Sequence, residues 1–157
     1  MKIDRRRLIL LTGAACLLPI SAKAAAPPLV TMYKDPSCGC CGAWADHIAK
    51  AGFPMKIIEE ARINALKTRM GVPSALWSCH TALVESYLLE GHVPASAVAH
   101  LLAARPPIRG LAVPGMPIGS PGMEVAGMAP ELYEVMAFGP PEPSVFMRFR
   151  GAAMIEG

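Results

Sequence analysis

The sequence predicts an α/β domain, on three observations. Short apolar runs rich in β-branched and aromatic residues alternate with segments of helical period. Gly52, Gly71 and Pro106-Pro107 punctuate the joins. Cys38, Cys40 and Cys41 place three thiols within four residues, where the first strand should turn into the first helix. The chain has 157 residues, enough for one domain with its own core. A hydrophobic share of 53% with 17% charged residues argues against disorder.

The first 24 residues stand apart from this pattern. Lys2, Arg5, Arg6 and Arg7 precede an apolar run from Leu8 to Ile20, and Ala22-Lys23-Ala24 follows. That order is a cleavable signal peptide, with the cut expected after Ala24. A retained membrane anchor is the alternative, but the run is short for a span. Arg5-Arg6-Arg7-Leu8 resembles a twin-arginine signal, which leaves twin-arginine and general export both open. Gly13 fits poorly at the leucine position that precedes a lipoprotein cut at Cys16, so Cys16 is expected to be discarded. Removing residues 1–24 takes away five of fifteen basic residues and one of twelve acidic ones. Ten against eleven remain, a net of −1, with no basic stripe for nucleic acid.

From Leu29 to Lys34 the chain reads as a strand, broken by Asp35-Pro36-Ser37. Gly39 to Ala51 reads as a helix with Trp44, Ile48 and Ala51 on one face, ended by Gly52. Met55–Ile58 is a second strand. Ala61 to Met70 is a second helix, with Ile63, Leu66 and Met70 inward, ended by Gly71. Thr81–Val84 and Tyr87–Leu89 read as strands joined through Glu85-Ser86. Ala95 to Ala104 is a third helix, stopped by Pro106-Pro107. Residues 105–130 show no period and read as an ordered, irregular Pro/Gly-rich loop lying over the domain. Leu132–Phe138 and Ser144–Phe149 suggest added strand pairing at an edge.

The order βαβα-ββα, with Cys38-x-x-Cys41 where strand enters helix, resembles the thioredoxin fold. In that fold a cis-proline just before the third strand opposes the cysteine motif, and Val72-Pro73 is the expected counterpart. The expected organisation is a signal peptide over 1–24, a thioredoxin-like metal-binding domain over 25–138 and a C-terminal extension over 139–157, with an edge strand.

Five groups of residues match a known family. Cys38-Gly39-Cys40-Cys41, Ser78-Cys79-His80-Thr81-Ala82, Glu90-Gly91-His92-Val93-Pro94, Gly110-Leu111-Ala112-Val113-Pro114-Gly115-Met116-Pro117 and Gly119-Ser120-Pro121-Gly122-Met123-Glu124 resemble the CopG-like periplasmic metal-binding proteins. The resemblance covers about residues 29–138. It implies a thioredoxin-like, periplasmic protein of copper resistance that binds copper through its cysteines as a multi-copper cluster. One departure is Ser86, where the family usually has glycine before the tyrosine. It touches the hairpin turn and should leave the site intact.

The residues themselves narrow the chemistry. Four cysteines survive cleavage: Cys38, Cys40, Cys41 and Cys79. Adjacent Cys40 and Cys41 make a poor disulfide framework, although one local Cys38–Cys41 bridge is feasible. Clean thiol–disulfide exchange needs one attacking and one resolving cysteine, and Cys40 would compete. For Cu(I), a soft ion, an extra bridging thiolate is useful. Zinc would need all four cysteines in one tetrahedron, and three in four residues are crowded for it. His80 and His92 are the imidazole candidates, His80 either as a ligand or by orienting the cysteine loop, since neighbours on an extended segment point apart. His47 and His100 read as packing or surface residues. Met116 and Met123 each follow Pro-Gly and have no element face to pack with, which favours thioether ligation. Met32, Met55, Met70, Met136 and Met147 read as core, and Trp44 as core beneath the site.

The expectation is therefore an exported protein of copper tolerance that binds more than one Cu(I) at Cys38, Cys40, Cys41 and Cys79, helped by His80, His92, Met116 and Met123. Sequestration, relay and redox conversion, as a copper or thiol oxidoreductase, share these ligands. The other readings are a thioredoxin-like oxidoreductase using Cys38 and Cys41, and a zinc-stabilised interaction module. Copper ions and periplasmic copper-handling proteins are the expected partners, with no nucleic acid and no membrane after cleavage.

Overall fold

The computed structural model describes residues 26–140 and 142–156. The expected signal segment, with Cys16, lies outside them. The element order is β1 (Val30–Lys34), α1 (Cys41–Lys50), β2 (Met55–Glu59), α2 (Ile63–Met70), a 3-10 turn (Ser74–Leu76), β3 (His80–Val84), β4 (Tyr87–Glu90), α3 (Ala95–Ala104), β5 (Gly110–Ala112), β6 (Leu132–Phe138), β7 (Ser144–Arg150) and β8 (Ala153–Glu156). All strands join one sheet in the order β2-β1-β3-β4-β5-β6-β7-β8. β1 runs parallel to β2 across α1, and β4 parallel to β5 across α3. The remaining neighbours are antiparallel. This is the mixed α/β class expected from the alternating pattern. Among the described residues, no helix is long and apolar enough to cross a membrane.

Strand residues alternate between two cores. Leu89, Leu111, Val135 and Phe149 join Trp44 and Ile48 of α1 and Val98 and Leu101 of α3 in the larger cluster. Their neighbours Leu88, Ala112 and Phe138 join Val72 and Leu76 in a smaller one. Successive side chains point to opposite faces, so α1 and α3 cover one face while the end of α2 and the 3-10 turn cover the other.

Several boundaries differ from expectation. Ala51 is exposed, and Ala45 takes its place on the buried face of α1. On α2 only Leu66 of the expected stripe is buried, with Ile63 and Met70 half-buried, and Lys67 is buried beside Leu66. Pro73 does not lead directly into the third strand. It opens the 3-10 turn, and residues 77–79 intervene before β3.

The loop expected over 105–130 contains β5. Its three residues are too few for a visible period, and Gly110 disguises it. A Cβ there would meet the Leu88 carbonyl carbon at 2.8 Å, so glycine lets β5 approach β4. β8, also unexpected, forms the outer edge beyond β7. The β3–β4 hairpin forms with Ser86 in place, because the left-handed residue is Glu85 (φ 51°). The Glu85 carboxylate accepts two hydrogen bonds from Arg105, at 2.7 and 3.1 Å. Arg105 is the other left-handed non-glycine residue among those described (φ 47°).

Candidate metal centre

The first sulfur segment is a turn that becomes a helix. The Asp35 carboxylate accepts the Ser37 N–H at 2.9 Å and the Asp35 carbonyl accepts the Cys38 N–H at 2.9 Å. The Ser37 hydroxyl and N–H hold the Asp35 carboxyl below its ordinary value. Cys40 caps α1 and Cys41 is its first residue. Cys38 and Cys41 are joined by a disulfide, while Cys40 and Cys79 are free thiols.

Cys79 arrives from the start of β3. Its Sγ lies 3.7 Å from that of Cys41 and 3.9 Å from that of Cys40, and Cys40 is 3.8 Å from Cys38. All four sulfurs fall within 4.8 Å of one another. Burial first, then the neighbouring Cys40, push the Cys79 thiol up to about 12. Metal binding through this sulfur is coupled to release of its proton.

Two imidazoles flank Cys79 on its other side. His92 Nε2 is 3.0 Å and His80 Nδ1 3.2 Å from Cys79 Sγ. These three residues also offer ligand atoms within 4.8 Å of one another. The Pro121 carbonyl, which can only accept, lies 2.7 Å from His92 Nδ1. Nδ1 therefore carries the proton, and the Nε2 lone pair faces the sulfur. His80 is fully buried, and burial, with His92 and Lys67 nearby, holds it neutral well below its ordinary 6.5. Burial likewise lowers His92, against the pull of the Pro121 carbonyl and Glu124. Neutral imidazole is the ligating form. His80 Nε2 is a buried side-chain nitrogen without a partner among the described residues. Cys79 and His80 were expected to point apart. They meet because Cys79 precedes the strand and escapes its alternation.

The Pro/Gly loop covers this centre. The Ser78 hydroxyl donates to the Gly115 carbonyl, and the Pro121 carbonyl holds His92. Gly122 (φ 86°) lies so close to α1 that a Cβ would meet the Trp44 nitrogen at 2.6 Å. Met116 is 52% exposed and Met123 half-buried, so neither is a core residue. Trp44 is fully buried, packs against His80 with the rings tilted by 45° and 4.3 Å between centroids, and donates to the Val93 carbonyl at 2.9 Å. His47 accepts the Ala95 N–H at 3.0 Å, and His100 packs edge-on to Phe146 at 5.4 Å, so neither reaches the cysteines.

Lys67, Glu90, Ser78 and Thr81 also belong to this neighbourhood; Ser78, Thr81 and Glu90 stand in the family-like motifs but were given no role, and Lys67 was missed from the sequence. Lys67 and Glu90 form a fully buried ion pair. The signal for Lys67 was a cation at the fourth position after Ile63, inside an apolar stripe. Nothing in the local sequence pairs it with Glu90, which is 23 residues away.

Comparison with known proteins adds three findings. Residues 76–123 match the family described as "Protein of unknown function, DUF411". That span holds Cys79, His80, His92, Met116 and Met123. No curated protein sequence matches the chain. Two solved structures, described as copper resistance protein copG in form 2 and form 1, are each 38% identical with a TM-score of 0.73. The first match covers 78% of this chain and 98% of the solved one, the second 80% and 99%. With that identity over nearly the whole of both solved chains, this protein belongs to the CopG family of copper resistance proteins.

Proposed function

We propose that this protein binds Cu(I) as a multi-ion thiolate cluster at Cys38, Cys40, Cys41 and Cys79. His80, His92, Met116 and Met123 would complete the coordination, and copper tolerance would be served by sequestration, relay or redox conversion. The observation that carries the reading is the convergence of four cysteine sulfurs within 4.8 Å from two distant segments. Soft thiolates and thioethers with neutral imidazole suit Cu(I) better than hard cations. The Cys38–Cys41 bridge must be reduced by two electrons before all four sulfurs can ligate. In this reading residues 1–24 are cleaved on export to the periplasm, residues 25–138 form a thioredoxin-like metal-binding domain, and residues 139–157 extend it.

The test is metal uptake by reduced protein under anaerobic conditions, against a chromogenic Cu(I) competitor. More than one Cu(I) per chain is expected, and Cys40→Ser should sharply reduce that capacity while the fold persists. Normal loading of Cys40→Ser would reject the cluster. Zinc belongs in the same titration, because a tetrahedron with zinc–sulfur bonds of about 2.3 Å has sulfur edges of about 3.8 Å. Preferential binding of a single zinc ion would replace the copper reading.

A second reading, thiol–disulfide exchange, is favoured by the Cys38–Cys41 bridge at the entry to α1. Under it Cys38 is essential and Cys40 dispensable. Robust disulfide reductase activity in Cys40→Ser would select it.

A further inference from the structure

Cys79 lies outside every helix and strand, yet its contacts with Cys40, Cys41, His80 and His92 define the candidate metal centre. What fixes it is buried on the far side of the segment. The Ser78 N–H donates to Glu90 Oε1 at 2.6 Å, and the Ser78 carbonyl accepts from Lys67 Nζ at 2.8 Å. Both backbone polar atoms of the residue preceding Cys79 are thus gripped by one ion pair. The other Glu90 oxygen accepts the Thr81 hydroxyl at 2.6 Å, so the grip spans Ser78 to Thr81. Lys67 Nζ and Glu90 bond directly, with side chains 1% and 0% exposed. Between them they tie α2, the end of β4 and the cysteine segment together.

Burying an ion pair is costly, and a well-packed neutral pair of similar volume commonly stabilises a protein as well or better. Packing alone therefore does not call for charges here. A carboxylate and an ammonium do offer directed acceptors and donors that a neutral apolar pair lacks. We propose that Lys67 and Glu90 are a positioning pair, which holds Cys79 at the distance from Cys40, Cys41 and His92 that metal binding needs. The proposal rests on the copper reading of the site and concerns side chains whose hydrogen bonds run to Ser78, Thr81 and each other.

The test compares full-length wild-type protein with Lys67→Met/Glu90→Leu, which removes both holds on the Ser78 backbone. Lys67→Met/Glu90→Gln restores an acceptor for the Ser78 N–H. Hydrogen exchange of the metal-free, reduced proteins is read first. Faster exchange confined to residues 77–81 is expected in the Leu variant, and unchanged exchange there overturns the proposal without reference to copper. Cu(I) affinity is read next and should fall about ten- to a hundred-fold, the scale of losing a group that orients a ligand, with partial recovery in the Gln variant. Both measurements are repeated in a Cys79→Ser background. A pair that acts through Cys79 should cost no further affinity there. An equal fold-loss in that background marks a general structural effect and overturns the proposal. If the Leu variant fails to fold, the Gln variant carries the same readings against wild type, and parity in affinity overturns the proposal. Absence of Cu(I) uptake by wild type would instead overturn the copper reading, whereas uptake with equal affinity in the variants overturns the positioning role alone.

Discussion

Cys38, Cys40 and Cys41 are held by their own neighbours, whereas Cys79 is held by residues distant in sequence. The first segment rests on the Asp35 turn and the start of α1, with contacts spanning a few residues. The second rests on Lys67 and Glu90, 11 and 12 residues from Ser78 and 23 from each other. The first segment takes its shape from hydrogen bonds within a few residues of the sulfurs. The second takes its shape from two buried side chains on separate elements. The centre thus sets a locally shaped sulfur triplet against a sulfur placed by tertiary contacts.

Breaking the tertiary side should have the largest effect. Glu90→Ala leaves Lys67 buried without its counter-charge and orphans the Ser78 N–H, so about 3–5 kcal/mol of stability should be lost. Asp35→Ala on the exposed turn should barely move the midpoint. Urea unfolding of the reduced, metal-free proteins reads both, and equal shifts would remove the contrast.

The covering loop comes next. Met116→Ala with Met123→Ala should weaken Cu(I) binding by about ten- to a hundred-fold, borrowing the scale for groups that orient ligands. The metal-free melting temperature should hardly change, because Met116 is 52% exposed. Buried core methionines would cost roughly 2–5 kcal/mol each. A large metal-free destabilisation with unchanged Cu(I) affinity would return these residues to packing.

The smallest effect is expected from pH. Burial lowers His80 and His92 below their ordinary 6.5, so the unfolded chain takes up protons first as pH falls. Stability is therefore present above about pH 6.5 and is lost as pH falls toward the depressed folded values, at about 1.4 kcal/mol per unit of depression. The Asp35 contribution fails only below its ordinary 3.8, outside that window. A lower urea midpoint at pH 5 than at pH 7.5 is expected, and equal midpoints would contradict neutral buried imidazoles.

Much of the fold was legible because its signals are local. Ala95–Ala104 announces itself by period and by the prolines after it, and Leu132–Phe138 by alternation. β5 was not legible, since three residues carry no period and Gly110 is there for a contact with β4 rather than for strand propensity. Of the site, Cys38, Cys40 and Cys41 stand together in sequence. His92 was harder to place, because the nitrogen it turns toward Cys79 is set by a carbonyl at Pro121, 29 residues on. Lys67 was read past because a helix stripe is judged by its apolar members. The ion pair that holds Cys79 is a tertiary fact written into neither partner's neighbourhood.

The order of strands has a consequence for how the molecule is assembled. From β4 to β8 each strand pairs with the one that left the ribosome just before it. Each addition closes only a modest loop, which keeps the entropic barrier of that step low. By residue 123 every sulfur and imidazole of the centre has been synthesised, along with the loop that covers it. The outer strands β6, β7 and β8 are then laid one by one against a half that already contains the whole site, like courses added to a finished wall.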